Sequence, residues 1–463
     1  MSIFILSLFF MEIDYQTGNF GRNYALTRAI GDHFSIIIDE YRQIALNDVS
    51  FYQGHYYCPA AYGPSVMMLP AYLAAKIVVY YPLRLIASES FTQLFIAWLS
   101  LVFSMVISMA YSMVLIYRIL IRQYHFPPHR YRLVIVIFMG SLFFPMSTIG
   151  FGESFSIIWI VGFLALLTQD PMSRGTLWGS ALVLGIGIHV YYQLIFIVPP
   201  ALYFIRKQKI SDRLVWITIL LISVFFLLLF NKINFTGWLD FPTHYWIERP
   251  IERQSTINYI LSALSGISLS NLKFFQIILV DPRFGLVVDM PFLLLMIPAV
   301  FRYYKKYPDL LLFFLLVIGT LVMFYFLFNQ DSLTSCGSSF GFRYFTPILV
   351  FFIIPILIYL GSARIQWWHV FILLISILIC SLGAVIDPHI EPVWQNPIRD
   401  FLWPRLIHSG PRNIITWFLF QEIGLNNWGF NVISSLSPFL GIWWINRSDR
   451  MKYPGPAIDM NDS

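Results

Sequence analysis

The chain has 463 residues, 58% hydrophobic and only 12% charged, with a mean hydropathy of +0.70. A soluble domain carries about 25% charged residues, so this composition excludes an ordinary soluble enzyme and points to a polytopic membrane protein. The net charge of +6 does not indicate nucleic acid, because the basic residues cluster in short loops between apolar runs, where they set membrane orientation.

Apolar runs fall at 2–13, 94–117, 133–150, 155–168, 178–205, 214–230, 286–301, 309–328, 346–360, 367–386 and 432–445. The predicted fold is all-α: one membrane domain over 1–463, with about 11–12 transmembrane helices and a long outer first loop carrying interfacial helices. The first run, MSIFILSLFFM, lacks the basic start and cleavage site of a signal peptide. It is also short for a span, which needs about 20 residues. Either residues 13–15 complete it at the interface or the true start lies upstream.

The first outer loop, 14–93, contains Asp39 to Pro70, a stretch that is polar, charged and aromatic at once. Its end, 64–87, is apolar but carries Lys76, Pro82 and Arg84. If 64–87 crossed, the loop at 118–132, with four arginines and no acid, would fall outside. The positive-inside rule therefore lays 64–87 along the outer interface. The basic loop at 206–213 must also be inside, which requires an even number of crossings in 133–205. That fits if 178–205 is a broken hairpin turning near His189 to Gln193.

Central spans then occupy 94–230, further outer loops 231–285, 329–345 and 387–431, and a cytoplasmic tail 447–463. Sixteen basic residues and six acids go to the inner side; the polar machinery gathers outside. No clear repeat of the kind found in secondary transporters appears. Asp289 is the main ionisable residue set into a span.

Three carboxylates, Asp39, Glu40 and Asp48, lie beside Tyr52, His55, Tyr56 and Tyr57 in the first loop. Such a loop suits deprotonation of an acceptor hydroxyl. Asp48 is the leading candidate base, since the aromatic cluster after it can exclude water; Asp39 is second. The plainer reading is a solvated loop. Glu153, in FGESF, sits in a tight outer turn near the same surface, or is simply a helix N-terminal acid. Arg343, in CGSSFGFRYFTP, and Arg283, in VDPRFGL, stand at outer span ends, where an arginine can grip a phosphate through two parallel bonds or snorkel to headgroups. His55 and Tyr57 are candidate substrate contacts. Cys58 and Cys336 share a side, so a disulfide is conceivable. No metal site is assigned, although three nearby carboxylates would allow a hard divalent cation. No phosphate loop, hydrolase elbow or zinc motif occurs, so a donor must come from the membrane.

Several stretches together resemble the membrane-embedded GT-C glycosyltransferases, near family 39 and the bacterial lipopolysaccharide-sugar transferases. They are GRNYALTRAI with IIIDEY and NDVSFYQGHYYCPAAYGPSVMMLPAY; NFTGWLDFPTHYW; DPRFGLVVDMPFLLL with GSSFGFRYFTPILVFFIIP; and NPIRDFLWPRLIHSG with NNWGFNVISSLSP. The resemblance implies a polyprenyl-phosphate sugar as donor and a glycan, lipid or protein hydroxyl as acceptor. It implies an acid of the first loop as base, inversion at the anomeric carbon, and a multi-pass protein of the cell or inner membrane with its site on the outer or periplasmic face. It implies no nucleic-acid partner. Where many relatives carry an acidic pair before the tyrosine matching Tyr24, this chain has Phe20 and Gly21. Where they carry Ser-Asp-Lys, it has Cys58, Pro59 and Ala60. These departures leave one alternative, a catalytically degenerate relative that binds or carries lipid-linked sugar; a secondary transporter is a further alternative of a different class.

Overall fold

The structure is a computed structural model that describes residues 1–11, 18–247, 272–328, 339–391, 393–411, 413 and 428–439. The described chain is helical except for one two-stranded hairpin. It begins with the short α1 (Ser2–Phe10) and the longer α2 (Gly18–His33). The hairpin pairs β1 (Ser50–Tyr52) with β2 (His55–Tyr57) and precedes α3 (Gly63–Val78). The main helices that follow are α4 (Glu89–Tyr124), α5 (Arg132–Met139), α6 (Gly152–Leu167) and α7 (Arg174–Val190). Next come α8 (Val198–Phe204), α9 (Ile210–Asn234), α10 (Met296–Tyr303) and α11 (Pro308–Phe328). The last two named here are α12 (Leu349–Ser362) and α13 (Trp367–Val385).

Four helical stretches are long and apolar enough to cross a membrane: α4, α9, α12 with the 3₁₀ turns that lead into it from Arg343, and α13. Their burial differs. The stretch ending in α12 is 89% buried, whereas α9 is 22% buried. A helix apolar on all sides belongs inside a bundle or against lipid, and these two take the two options.

Two of the runs read as spans are broken. The run 133–150 stops at Gly140, at the end of α5, and resumes as the short helix Phe143–Met146. Gly140 is where the backbone closes on α13: a Cβ there would stand 3.2 Å from Ser376. The run 286–301 is a four-residue helix, Leu286–Asp289, then a 3₁₀ stretch opened by Pro291, then α10. Proline lacks the N–H that would continue the ladder. The run 178–205 also breaks, at Tyr191, and returns through a 3₁₀ stretch and α8.

The polar loops sort into two ends. At one, Thr168 donates to Gln123 (2.7 Å), the rings of Tyr124 and Tyr307 meet at 5.2 Å, and Arg130 donates to the Leu360 and Ala363 carbonyls. Arg174 pairs with Asp212, Arg206 and Lys207 with Asp309, and the hydroxyls of Tyr303 and Ser362 touch. These contacts tie five basic loops into one cluster. At the other end Ser50 donates to the Pro242 carbonyl (2.6 Å) and bridges Trp246, the Tyr62 hydroxyl meets His189, and Phe340 N–H donates to the Pro388 carbonyl.

Helix α4 fixes the scale between the ends. Leu101 packs where a Cβ on Gly150 would stand, at the acid-bearing end. From there to Tyr124 is about 35 Å of helix, close to a hydrocarbon core of about 30 Å. A continuous helix cannot turn back, so Glu89 lies beyond Leu101. Helix α3 starts beside Gly152 and leads to Tyr80, whose hydroxyl reaches Glu89. The segment 64–87 therefore stays at the acid-bearing end.

Candidate functional site

The site begins with α2. Its Arg22 donates through Nη1 to both carboxylate oxygens of Asp48, each at 2.9 Å. Asp48 stands just after Leu46, which turns the chain at φ 54, and is 7% exposed. Burial opposes the Arg22 charge, but Asp48 beside it more than compensates and holds the guanidinium above its ordinary pKa. The neighbouring Cys58 thiol is pushed up to about 11 by burial, which makes it an inert thiol.

Glu153 enters from the first turn of α6 and Arg343 from the 3₁₀ turn before α12. They are 6% and 5% exposed, with Arg343 Nε 3.6 Å from Glu153 Oε1. Arg343 lies over the Phe151 and Tyr344 rings at 4.6 and 4.9 Å. Its Nη2 donates to the Tyr344 hydroxyl (3.1 Å) and, at 3.5 Å, to Asn19 on α2. Its Nε and Nη1, and Nε of Arg22, are buried without a hydrogen-bond partner among the described residues.

Arg22, Glu153 and Arg343 line one cavity of about 180 Å³, room for roughly six waters at their liquid share. Its walls come from Pro59–Ala61 after the hairpin, from Tyr191 to Gln193 at the break after α7, and from Trp246. The break exposes backbone and two tyrosines to the cavity, where irregular backbone is tolerated. His189, the last-turn residue of α7, does not line it; Nε2 donates to the Ser223 carbonyl (2.9 Å), leaving Nδ1 to meet Tyr62.

Other candidates lie elsewhere. Asp48 sits behind Arg22 and does not line the cavity. Asp39 accepts from His55 Nδ1 (2.7 Å) and from the Tyr56 N–H (2.6 Å), and this half-exposed pair stays on the outer surface. Tyr57 lines a smaller aromatic pocket with Tyr62, Tyr192, Phe230 and Phe235. Arg283 is held by its own neighbour Asp281, at 3.0 and 3.1 Å, and does not reach the cavity. The three carboxylates of the first loop do not converge: Asp39 takes His55, Glu40 takes His33 and Asp48 takes Arg22. No cluster of three metal-ligating side chains occurs among the described residues. Cys336 lies outside the described residues, so its pairing with Cys58 does too.

Sequence reasoning missed Arg22. Its signal was an arginine in GRNY, among small and aromatic residues in the first half of α2. Packing fixes two neighbours of Arg22 on α2. Phe20 is buried and stacks on Tyr24 at 5.6 Å, and a Cβ on Gly21 would collide with the Ile44 carbonyl. Gly21 therefore has no room for a side chain.

No protein family matches this chain, and no curated protein or solved structure is similar to it.

Proposed function

We propose that the chain is a membrane glycosyltransferase that takes a sugar from a polyprenyl-phosphate donor and passes it to an acceptor hydroxyl at the outer face, with inversion. The observation that carries this reading is that two guanidiniums, the half-buried Arg22 and the buried Arg343, keep buried N–H groups unused beside one carboxylate-bearing cavity. Unused buried donors are costly, roughly 1–3 kcal/mol each or more when charged, and a phosphate diester would satisfy them through charge-assisted bonds. The acid-bearing end faces outward in this reading, because the opposite end holds the basic loops. The broken segments, such as 133–150, count among the expected 11–12 crossings.

Sequence reasoning gave Asp48 the base role. The geometry favours Glu153, because both Asp48 oxygens are engaged by Arg22 whereas Glu153 faces the cavity. Glu153 takes the acceptor hydroxyl proton as its oxygen bonds to the anomeric carbon. The bond from that carbon to the phosphate oxygen breaks, and the phosphate leaves with the electron pair, held by Arg343 and Arg22. Asp48 fixes Arg22.

The test uses the full chain in detergent and a panel of polyprenyl-phosphate pentoses and hexoses, with polyprenyl phosphate release read by mass spectrometry. Release from at least one donor is expected, reduced about 10²-fold or more by Glu153→Gln and also lost in Arg343→Gln. Binding without release from any donor would instead make the protein a carrier of lipid-linked sugar. Neither binding nor release would reject the reading.

A further inference from the structure

The Glu153 carboxylate has a single partner among the described residues, the Arg343 guanidinium, and the two are only loosely joined. At 3.6 Å the contact is an ion pair but too long for a hydrogen bond. Arg343 correspondingly leaves Nε and Nη1 unused. The pair is nearly sealed from solvent, so its charges need each other even though its hydrogen-bonding capacity is unfilled. Arg22, by contrast, already donates from Nη1 to both Asp48 oxygens. The cavity thus holds one carboxylate bound by attraction alone, beside a guanidinium with two N–H groups unused.

We infer that Glu153 is an internal counter-ion that the donor phosphate displaces from Arg343, so that donor binding itself releases the base. This inference rests on the phosphate reading above. With the cavity empty, the Glu153 carboxylate is held beside the Arg343 guanidinium. A phosphate diester that accepts from the unused Nε or Nη1 of Arg343 supplies a hydrogen bond that Glu153 does not make. The carboxylate then loses its cation and gains an anionic neighbour, and both changes favour its taking a proton. A base that works only beside bound donor keeps the acceptor oxygen unactivated until there is a sugar to receive it.

The consequence runs against the usual expectation for a site residue: removing the Glu153 charge tightens phosphate binding. The probe is farnesyl methyl phosphate, a diester whose single negative charge is constant near neutral pH. It is titrated calorimetrically into the full chain in nanodiscs. Glu153→Gln is expected to bind it about tenfold more tightly than the unmodified protein, since a competing and repelling charge is gone, while Arg343→Gln loses binding. Where the glutamine variant is not monodisperse, Glu153→Ala carries the same expectation. Equal or weaker binding by the Glu153 variant, with Arg343→Gln still defective, overturns the displacement and leaves the phosphate site standing. Binding that ignores Arg343→Gln places the probe outside the cavity and overturns both.

Discussion

At the scale of single residues, the two acids of the site have different physical jobs. Asp48 is buried and takes two short bonds from the half-buried Arg22, whereas Glu153 makes none. Removing one partner of a buried ion pair leaves an uncompensated charge, at roughly 3–5 kcal/mol. Asp48→Asn is therefore expected to lower the thermal midpoint markedly along with activity. Glu153→Gln is expected to abolish transfer with a smaller drop in midpoint, since it gives up an ion-pair attraction but no hydrogen bond. Differential scanning fluorimetry on the two variants separates these outcomes; a stable, inactive Asp48→Asn protein would return the base role to Asp48. The loop that carries Arg343 is similarly constrained. Gly341 sits at φ +65, and a Cβ there would stand 2.7 Å from Leu142 and 2.9 Å from Asp289, so only glycine lets that loop close.

At the scale of elements, the segment from α2 to α3 is an assembly held by one half-buried carboxylate. Asp32, at the end of α2, accepts from the Tyr72 hydroxyl (2.7 Å) and Lys76 (2.6 Å) of α3, and from the Tyr41 hydroxyl (2.7 Å). Burial works to raise the Asp32 pKa, but the bonds from Lys76, Tyr72 and Tyr41 outweigh it and hold it below the ordinary value. The sign follows: this stabilisation is complete above the unfolded pKa of about 3.9 and is lost as pH falls through the lower folded value. Loop docking should thus be insensitive to pH near neutrality and fail only in strong acid. Asp32→Ala should loosen α2 from α3 at neutral pH, seen as faster hydrogen exchange in α3 and at residues 58–61. Unchanged exchange there would show that apolar packing alone holds the loop. The hairpin is the other element the first loop needed. Gln53 and Gly54 both take positive φ, 48° and 89°, the pattern of a tight primed turn. A Gln-Gly pair between aromatic-rich trios signals such a turn, yet the aromatic residues drew attention as chemistry rather than as strand formers.

At the scale of the whole molecule, the separation of charge into two ends makes a prediction about orientation. Gln53→Cys at the hairpin and Lys207→Cys at the basic cluster, each in a Cys336→Ser background, report on opposite ends. Cys58 and Cys380 are buried and add little background. A membrane-impermeant thiol reagent on intact cells should label the cysteine at 53, and the one at 207 only after permeabilisation. The reverse pattern would invert the protein and remove the outer-face site.

Composition and the spacing of apolar runs by themselves determined that this is a helical chain built for a bilayer. The arginines and lysines determined which loops keep company, because that sorting depends on local charge that any reader of the sequence can count. Tertiary packing alone decided which side chains meet. Arg22, Glu153 and Arg343 lie far apart along the chain and share no motif, and the same contacts leave Asp39, His55 and Arg283 with other partners. Such a meeting depends on where helices break and close on one another, at Gly140, Tyr191 and Gly341, and that geometry is set by the whole bundle rather than by any local stretch.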